Sequence, residues 1–144
     1  MGKSTAKPRL IILEGTDRVG KNSLQDAIDQ QTRYKHLVMD RGPIGFKAYC
    51  EIYEKSIDLF NYYVDMEEVL AENPDVLIIY LTCETEELIR RCKNTNHEIL
   101  DFDLHRKIYD AYYETSLFPE KVKVDTTNKT SDEIVKELIE LGVV

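Results

Sequence analysis

Residues 10–24 read LIILEGTDRVGKNSL, and this stretch decides the fold. A nearly continuous apolar run, 10–14, is followed by the pattern G-x-x-x-x-G-K from Gly15 to Lys21 and then by an amphipathic helical pattern. Glycines let successive backbone N–H groups turn inward around a phosphate, and the helix N-terminus adds a partial positive charge. The strand–loop–helix context therefore predicts a phosphate-binding loop, in which Lys21 reaches the β- and γ-phosphates of a nucleotide.

The residue after the lysine departs from the usual pattern. The hydroxyl that commonly ligates Mg²⁺ at this position is replaced by Asn22, which is followed by Ser23. The neutral oxygen of Asn22 could hold the metal or one of its waters; the alternatives are weak metal dependence or lost catalysis. A second Gly-Lys-Ser-Thr, at 2–5, has no strand before it and is interpreted as coincidental, within an N-terminus (1–8) that we expect to be mobile.

Three further β-rich apolar runs follow the loop, at 36–40, 76–82 and 122–125, with helical patterns between them. Strands that alternate with helices form parallel βαβ units with right-handed crossovers. We therefore expect an α/β chain with the three-layer P-loop NTPase fold, as a single domain over 1–144. About four parallel strands would be flanked by helices, in the spatial order 36–40, 10–14, 76–82, 122–125.

Composition narrows the class of protein. Three cysteines without a C-x-x-C pair argue against a disulfide scaffold or a zinc site and favour a reducing, cytoplasmic setting. The longest apolar run is about six residues, whereas a bilayer span needs about 20, so no membrane association is expected. His97 and His105 have no third ligand at metal-site spacing and are expected to be solvated.

The net charge of −8 is unevenly distributed. Residues 1–49 hold nine basic and five acidic side chains, whereas residues 50–144 hold ten basic and 22 acidic ones. This pattern indicates a small cationic cleft inside an acidic shell. It argues against tight binding along a long nucleic acid, which needs an extended basic face.

The second predicted strand ends in Asp40-Arg41. In open α/β sheets, ligands bind at the carboxyl ends of the strands, so this pair is predicted to share a crevice with the phosphate loop. Arg41 could clamp an acceptor phosphate, and Asp40 could accept a hydroxyl proton or hold Mg²⁺ through water. The alternative is a structural pair that caps the turn before Pro43.

These motifs resemble a known family. Residues 13–22, LEGTDRVGKN, are similar to the phosphate loop of thymidylate kinases, written LEG-x-D-R-x-GK-S/T, and Asp40-Arg41 resembles the family's DR motif. The related deoxynucleoside kinases share most of the layout, which covers nearly the whole chain. Four further segments resemble, in order, the family's fourth strand, mobile lid (about 92–98), post-lid helix, and last strand with its adenine loop: 73–82, 90–98, 105–114 and 124–134.

The resemblance implies ATP as phosphoryl donor and Mg²⁺ as cofactor. Lys21 and the loop amides would hold the donor phosphates, and Arg18 would reach the transferring phosphoryl group from within the loop. Arg90 or Arg91 would stack on adenine. The implied ATP-binding residues are Gly15, Thr16, Val19, Gly20, Lys21, Asn22, Ser23, Arg90, Arg91, Thr127 and Asn128; Asn22 and Asp40 are the candidate metal ligands.

The resemblance also implies an acceptor site. Asp17 would contact the acceptor sugar and Arg41 its phosphate, with Asp40 near the attacking oxygen; Lys21, Arg18, Asp40 and Arg41 would be the catalytic set. Only 18 residues separate Lys21 from Asp40, so the family segment that grips thymine is missing. Phe46 and Tyr49 lead the candidate replacements, with core or interface packing as the alternative. The other aromatic candidates are Tyr53, Phe60, Tyr62 and Tyr63.

Together these features predict an ATP-dependent phosphotransferase that moves the γ-phosphoryl group to a deoxynucleoside monophosphate, thymidylate-like, or to a nucleoside. The trimmed length suggests, by analogy, a phage-like enzyme of deoxynucleotide metabolism, and family members also suggest a homodimer. One alternative is a kinase for a modified base or an end within DNA, since the shortened acceptor region could admit a larger substrate. The other is a nucleotide-binding regulatory module without catalysis, motivated by Asn22.

Overall fold

The structure is a computed structural model that describes residues 6–144. The Gly-Lys-Ser-Thr at 2–5 and most of the N-terminal segment 1–8 therefore lie outside the described residues. Within the described part, strands and helices alternate along the chain. In order they are β1 (Leu10–Glu14), α1 (Lys21–Gln31), β2 (Leu37–Asp40), α2 (Pro43–Ile52), α3 (Ile57–Ala71), β3 (Val76–Thr82), α4 (Thr85–Asn94), α5 (Phe102–Glu114), β4 (Lys121–Asp125) and α6 (Ser131–Glu140).

The four strands form one parallel sheet in the order β2-β1-β3-β4. The predicted fold class and strand order are confirmed. Two of the predicted strands, 10–14 and 76–82, have the predicted bounds, whereas β2 begins one residue later and β4 one residue earlier. Leu13 pairs with Asp40, so β1 and β2 end side by side and deliver their following loops to the same edge of the sheet.

Helices cover both faces of the sheet. Side chains alternate between the two faces along each strand, so each strand contributes apolar side chains to the core on both sides. On one face, Ile11 and Leu13 of β1 pack with residues of α1, α4 and α6. On the other face, Ile12 of β1 and Tyr80 of β3 pack with residues of α2 and α5. This burial on both faces explains why β1 and β3 are nearly continuous apolar runs.

Cys50, Cys83 and Cys92 are free and buried. None of the helices in residues 6–144 is both long and apolar enough to span a bilayer.

A buried ion pair joins α2 to α3. Lys47 Nζ lies 2.6 Å from Glu67 Oε1, and both side chains are less than a tenth exposed. Glu67 Oε2 accepts a hydrogen bond from the backbone N–H of Leu117 (2.9 Å). Removing one charge of such a pair leaves the other desolvated and uncompensated, which is strongly destabilising.

We expect Lys47→Met to lower the free energy of unfolding by about 3–5 kcal/mol, because the Glu67 carboxylate stays buried without its cation. The double variant Lys47→Met/Glu67→Gln should recover at least half of this loss, since the neutral amide can still accept from Leu117. Urea unfolding followed by circular dichroism measures both values. A Lys47→Met loss below about 1 kcal/mol would show that the pair is not an important contact.

Candidate active site

The phosphate loop leaves β1 at Gly15 and enters α1 at Lys21. Gly15 has a φ of 147°, and a Cβ at this position would lie 2.6 Å from the carbonyl oxygen of Leu81, so glycine lets the loop pack against β3. Arg18 (φ 66°) and Gly20 (φ 103°) are also left-handed, and Gly20 is the N-cap of α1. These turns leave the N-terminus of α1 open to the cleft beside it, which suits an anion.

Lys21 lies inside the loop that precedes it. Its Nζ donates to the carbonyl oxygens of Gly15 (3.0 Å) and Thr16 (3.1 Å), and the side chain is largely buried. Burial, and then the neighbouring Arg41 guanidinium, lower the pKa of the Lys21 ammonium, while Asp40 opposes this shift. The ammonium is thus held by neutral carbonyls, which phosphate oxygens could replace as partners.

A cleft of about 570 Å³ opens in front of the loop. It runs from the carboxyl end of β2, past the N-terminus of α1, to the connection between β4 and α6. Its lining residues are Asp17, Arg18, Val19, Gly20, Lys21, Asn22, Ser23, Leu24, Asp40, Arg41, Leu81, Arg91, Thr95, Thr126, Lys129, Thr130, Ser131 and Ile134.

A second, smaller pocket of about 100 Å³ adjoins this cleft. Asp17 and Arg41 line both, and an Arg41 Nη2 to Asp17 Oδ1 contact of 3.3 Å lies where they meet. The pocket is rich in aromatic rings and is built between the phosphate loop, α2 and α5. Its lining residues are Thr16, Asp17, Arg41, Tyr49, Ile52, Tyr53, His105 and Tyr109.

Contacts from α4 and the segment after it connect the predicted lid to the phosphate loop. Arg91 Nη1 donates to the carbonyl oxygen of Arg18 (3.0 Å), and its Nη2 donates to that of Thr126 (3.1 Å). The Arg18 side chain reaches outward, where its Nη1 lies 3.3 Å from His97 Nδ1. His97 is exposed, as expected, but it contacts the loop; His105 is partly buried and lines the small pocket.

Most of the candidate site residues line one of the two spaces. Asp17, Arg18, Val19, Gly20, Lys21, Asn22, Ser23, Asp40, Arg41 and Arg91 line the large cleft, and Thr16 and Tyr49 line the small pocket. Of the two arginines proposed for adenine, Arg91 faces the cleft, whereas Arg90 pairs with Glu87 (2.6 Å) on the exposed side of α4.

The other candidates lie outside the linings of both spaces, as far as residues 6–144 define them. Gly15 packs against β3, and Phe46 stacks on Tyr63 with ring centroids 4.8 Å apart. The Thr127 hydroxyl donates to Asp125 (2.6 Å) and accepts from the Glu84 N–H (2.9 Å). Asn128 belongs to the same loop but is not among the lining residues, so the cleft side of this loop is formed by Thr126 and Lys129.

Sequence reasoning missed several residues that line the site. Tyr53 is only a secondary candidate by sequence, and His105 and Tyr109 come from α5, which is distant in sequence from α2. Helical spacing places His105 and Tyr109 on one face of α5, four residues apart, but does not reveal which element that face meets. Thr95, Thr130 and Ser131, on the cleft side, fall within the predicted lid and the segment 124–134, but none of them was singled out as a site residue.

Glu14 is the other residue that sequence reasoning missed. It ends β1 and is fully buried, and its two carboxylate oxygens accept three backbone hydrogen bonds from the start of α2. Burial raises the pKa of Glu14 to about 7, because loss of water outweighs the stabilisation of the anion by these three N–H groups and by Lys21. The only sequence signal is a carboxylate at the end of a buried strand.

The oxygen ligands in the cleft suit a cation that is also coordinated by substrate phosphates. Asn22 and Asp40 line the same cleft and together offer one amide oxygen and one carboxylate. Within residues 6–144, no group of three or more His, Cys, Asp or Glu side chains is placed to hold a metal ion. Mg²⁺ commonly binds through one or two carboxylates plus substrate phosphates, so these residues fit a cation bound together with a nucleotide.

Comparisons with known proteins define the fold. No protein-family model and no curated protein match the chain. Among solved structures, the YorR protein of Bacillus subtilis, in complex with phosphorylated GDP, superposes with a TM-score of 0.72 at 17% identity, over 92% of this chain and 94% of YorR. Deoxyadenosine kinase from M. mycoides, with bound dCTP, gives a TM-score of 0.62 at 17% identity over 92% and 99% of the two chains.

Thymidylate kinase from Candida albicans gives a TM-score of 0.60 at 16% identity, over 95% of this chain and 92% of the kinase. The chain has the fold of these three proteins. At such low identity the likeness concerns the fold, and the predicted P-loop architecture is thereby confirmed.

The raised pKa of Glu14 makes stability depend on pH. Between its ordinary value of 4.5 and about 7, the native carboxyl holds a proton that the unfolded chain has released. The free energy of unfolding should therefore fall as pH rises through this window, by up to about 3 kcal/mol from this group alone. Glu14→Gln cannot titrate, so the wild-type advantage over this variant should shrink from pH 5 to pH 8 in urea unfolding. Parallel curves would contradict the assignment.

Proposed function

We propose that this protein is an ATP-dependent phosphotransferase whose acceptor is a deoxynucleoside monophosphate, thymidylate-like, or a nucleoside. One observation carries the proposal: a large cleft around Lys21 meets a small aromatic pocket at the Asp17–Arg41 contact. Donor and acceptor would thus approach each other across the carboxyl edge of the sheet, where the loops after β1 and β2 lie together.

The large cleft would bind the donor. The N-terminus of α1 and the Lys21 ammonium would hold the β- and γ-phosphates, with the ammonium leaving the carbonyl oxygens of Gly15 and Thr16. The adenine would lie toward Thr126 and Lys129, beside the guanidinium of Arg91, which donates to the carbonyl oxygens of Thr126 and of Arg18 in the phosphate loop. Planar guanidinium groups stack well on aromatic rings.

The small pocket would bind the acceptor base. Tyr49, Tyr53 and His105 supply aromatic faces for stacking together with polar ring atoms for the base edges. Asp17 would then contact the sugar, and Arg41 would hold the acceptor phosphate through two parallel N–H···O bonds. The pocket therefore supplies a base site from α2 and α5 in place of the segment missing between Lys21 and Asp40.

Transfer would proceed by in-line displacement. An acceptor oxygen forms a bond to the γ-phosphorus while the bond from that phosphorus to the β–γ bridging oxygen breaks, and ADP leaves with this oxygen. Lys21 would neutralise charge on the phosphates, and Arg18 would do so at the transferring group after turning away from His97. A phosphate acceptor attacks as an anion, whereas a hydroxyl acceptor would release its proton to Asp40.

A divalent cation would complete the charge balance. Asn22 and, through water, Asp40 would hold Mg²⁺, which supplies neutralisation of the donor phosphate oxygens when it is bound. Both side chains line the large cleft.

We expect Lys21→Ala to lower kcat/KM by about 10²–10³, and Arg41→Ala to raise the acceptor KM by about tenfold or more. The assay follows labelled phosphate from ATP to deoxynucleoside monophosphates, nucleosides and oligonucleotides. Arg33→Ala is a matched control, because Arg33 is exposed, also has a positive φ (55°), and lines neither space.

The acceptor panel separates the candidate functions. Transfer only to oligonucleotides would replace the proposal with a DNA kinase. Absence of transfer, together with ATP binding that depends on Lys21, would favour a regulatory module. Equal activity of Lys21→Ala and wild type would refute phosphotransfer at this loop.

The aromatic pocket gives a separate prediction about acceptor binding. Tyr53→Ala and His105→Ala should each raise the acceptor KM by about tenfold and leave the ATP KM within twofold, because a stacked base contributes about 1–3 kcal/mol. Tyr62→Ala is the control, since Tyr62 is an exposed tyrosine of α3 outside both linings. Equal changes in the two KM values would place the acceptor elsewhere.

A further inference from the structure

We propose that Glu14 is a positioning residue that sets the conformation of Arg41 for acceptor binding. The inference rests on the proposed function, since it assigns to Arg41 the acceptor contact described above. Glu14 itself lines neither the cleft nor the small pocket within the described residues, so it would act through Arg41 rather than on a substrate.

The first observation is the set of hydrogen bonds that Glu14 accepts. Its Oε1 accepts from the backbone N–H groups of Gly42 (3.1 Å) and Gly45 (3.0 Å), and its Oε2 accepts from that of Ile44 (2.9 Å). These donors belong to the N-cap and first turn of α2, which have no partners within their own helix. No side chain caps α2 from its own N-cap position, so the carboxylate from β1 takes this role.

The second observation is the backbone of Arg41. Its φ is 76°, a left-handed conformation that non-glycine residues adopt only when the surroundings enforce it. The N–H of Arg41 donates to the carbonyl oxygen of Leu13 (2.8 Å), and the next N–H, of Gly42, donates to Glu14. Arg41 is therefore held between two consecutive attachments to the end of β1.

The third observation is the close packing around the carboxylate. A Cβ on Gly45 would lie 2.7 Å from Glu14 Oε1 and 2.7 Å from Arg41 Cγ, so the Arg41 stem runs over Gly45 beside the carboxylate. The direction of the Arg41 side chain thus depends on the same three residues. Through this contact, Glu14 sets the position of the Arg41 guanidinium, which contacts Asp17.

Backbone N–H groups, more than neighbouring charges, explain why a carboxylate suits this place. Lys21 of α1 is the cation that acts on the Glu14 carboxyl group, and the Tyr109 phenol of α5 lies near both Glu14 and Arg41. No salt bridge to Glu14 is present among the described residues, so backbone N–H groups are its direct partners. A glutamine would present an N–H₂ group to one of three donors, whereas an apolar side chain would leave all three unsatisfied.

The test compares Glu14→Gln with wild type in the full chain, at pH 8 and at a temperature where circular dichroism shows both to be folded. We expect the acceptor KM to rise about tenfold while the ATP KM stays within twofold. Gly45→Ala perturbs the same contact from the other side and should shift the acceptor KM in the same direction. Glu68→Gln is the control, since Glu68 is an exposed carboxylate of α3 outside both linings, and it should leave both KM values unchanged.

A readout that does not need activity accompanies the kinetics. Amide hydrogen exchange should accelerate about tenfold or more in Glu14→Gln at whichever of Gly42, Ile44 and Gly45 faces the new N–H₂ group, and exchange in α6 should not. An acceptor KM within twofold of wild type, or equal rises in the ATP and acceptor KM values, would overturn the inference. A wild-type protein that transfers phosphate to no acceptor would instead refute the proposed function, and the exchange data would then still show whether Glu14 holds the turn.

Discussion

The buried carboxylate of Glu14 ties together the two loops from which the site is built. It ends β1, directly before the phosphate loop, and it accepts hydrogen bonds from the first turn of α2, directly after Arg41. Since β1 and β2 run parallel in register, their ends lie side by side, but strand pairing alone does not fix the loops beyond them. The carboxylate supplies that connection at the cost of burying a charge, which is why its pKa is raised to about 7.

In the proposed reaction, the two spaces at this edge would each bind a different substrate. The large cleft is lined by backbone turns, by Lys21 and by Arg91, which suits an anionic donor with a planar base. The small pocket is lined by aromatic rings from α2 and α5, which suits a base held by stacking. Asp17 and Arg41 belong to both, so one ion pair lies at the boundary that a phosphoryl group would cross.

The same arrangement accounts for the uneven distribution of charge along the chain. The excess of basic residues falls in residues 1–49, which contain the phosphate loop and the turn after β2. Arg18, Lys21 and Arg41 all line the cleft, so the local positive charge is concentrated where polyphosphate would bind. Helix surfaces of the remaining chain carry the acidic excess. An acidic protein can thus present a cationic site without an extended basic face.

Sequence alone determined the fold and the phosphate-loop side of the large cleft, because both depend on local order along the chain. The apolar runs and the G-x-x-x-x-G-K pattern specify strand, loop and helix in succession, and the carboxyl ends of parallel strands must share one edge. For the same reason the order of residues along the chain is enough to predict that Lys21, Asp40 and Arg41 lie together.

Only the tertiary structure decided the composition of the small aromatic pocket and which candidate residues line the large cleft. His105 and Tyr109 join Tyr49 and Tyr53 because α5 packs against α2, a contact between elements about 50 residues apart that no local spacing encodes. Likewise, Arg91 rather than Arg90 faces the cleft because of the rotation of α4, and Phe46 turns to Tyr63 instead of the pocket. The role of Glu14 was also hidden from the sequence, since its partners are backbone N–H groups, which every residue except proline provides.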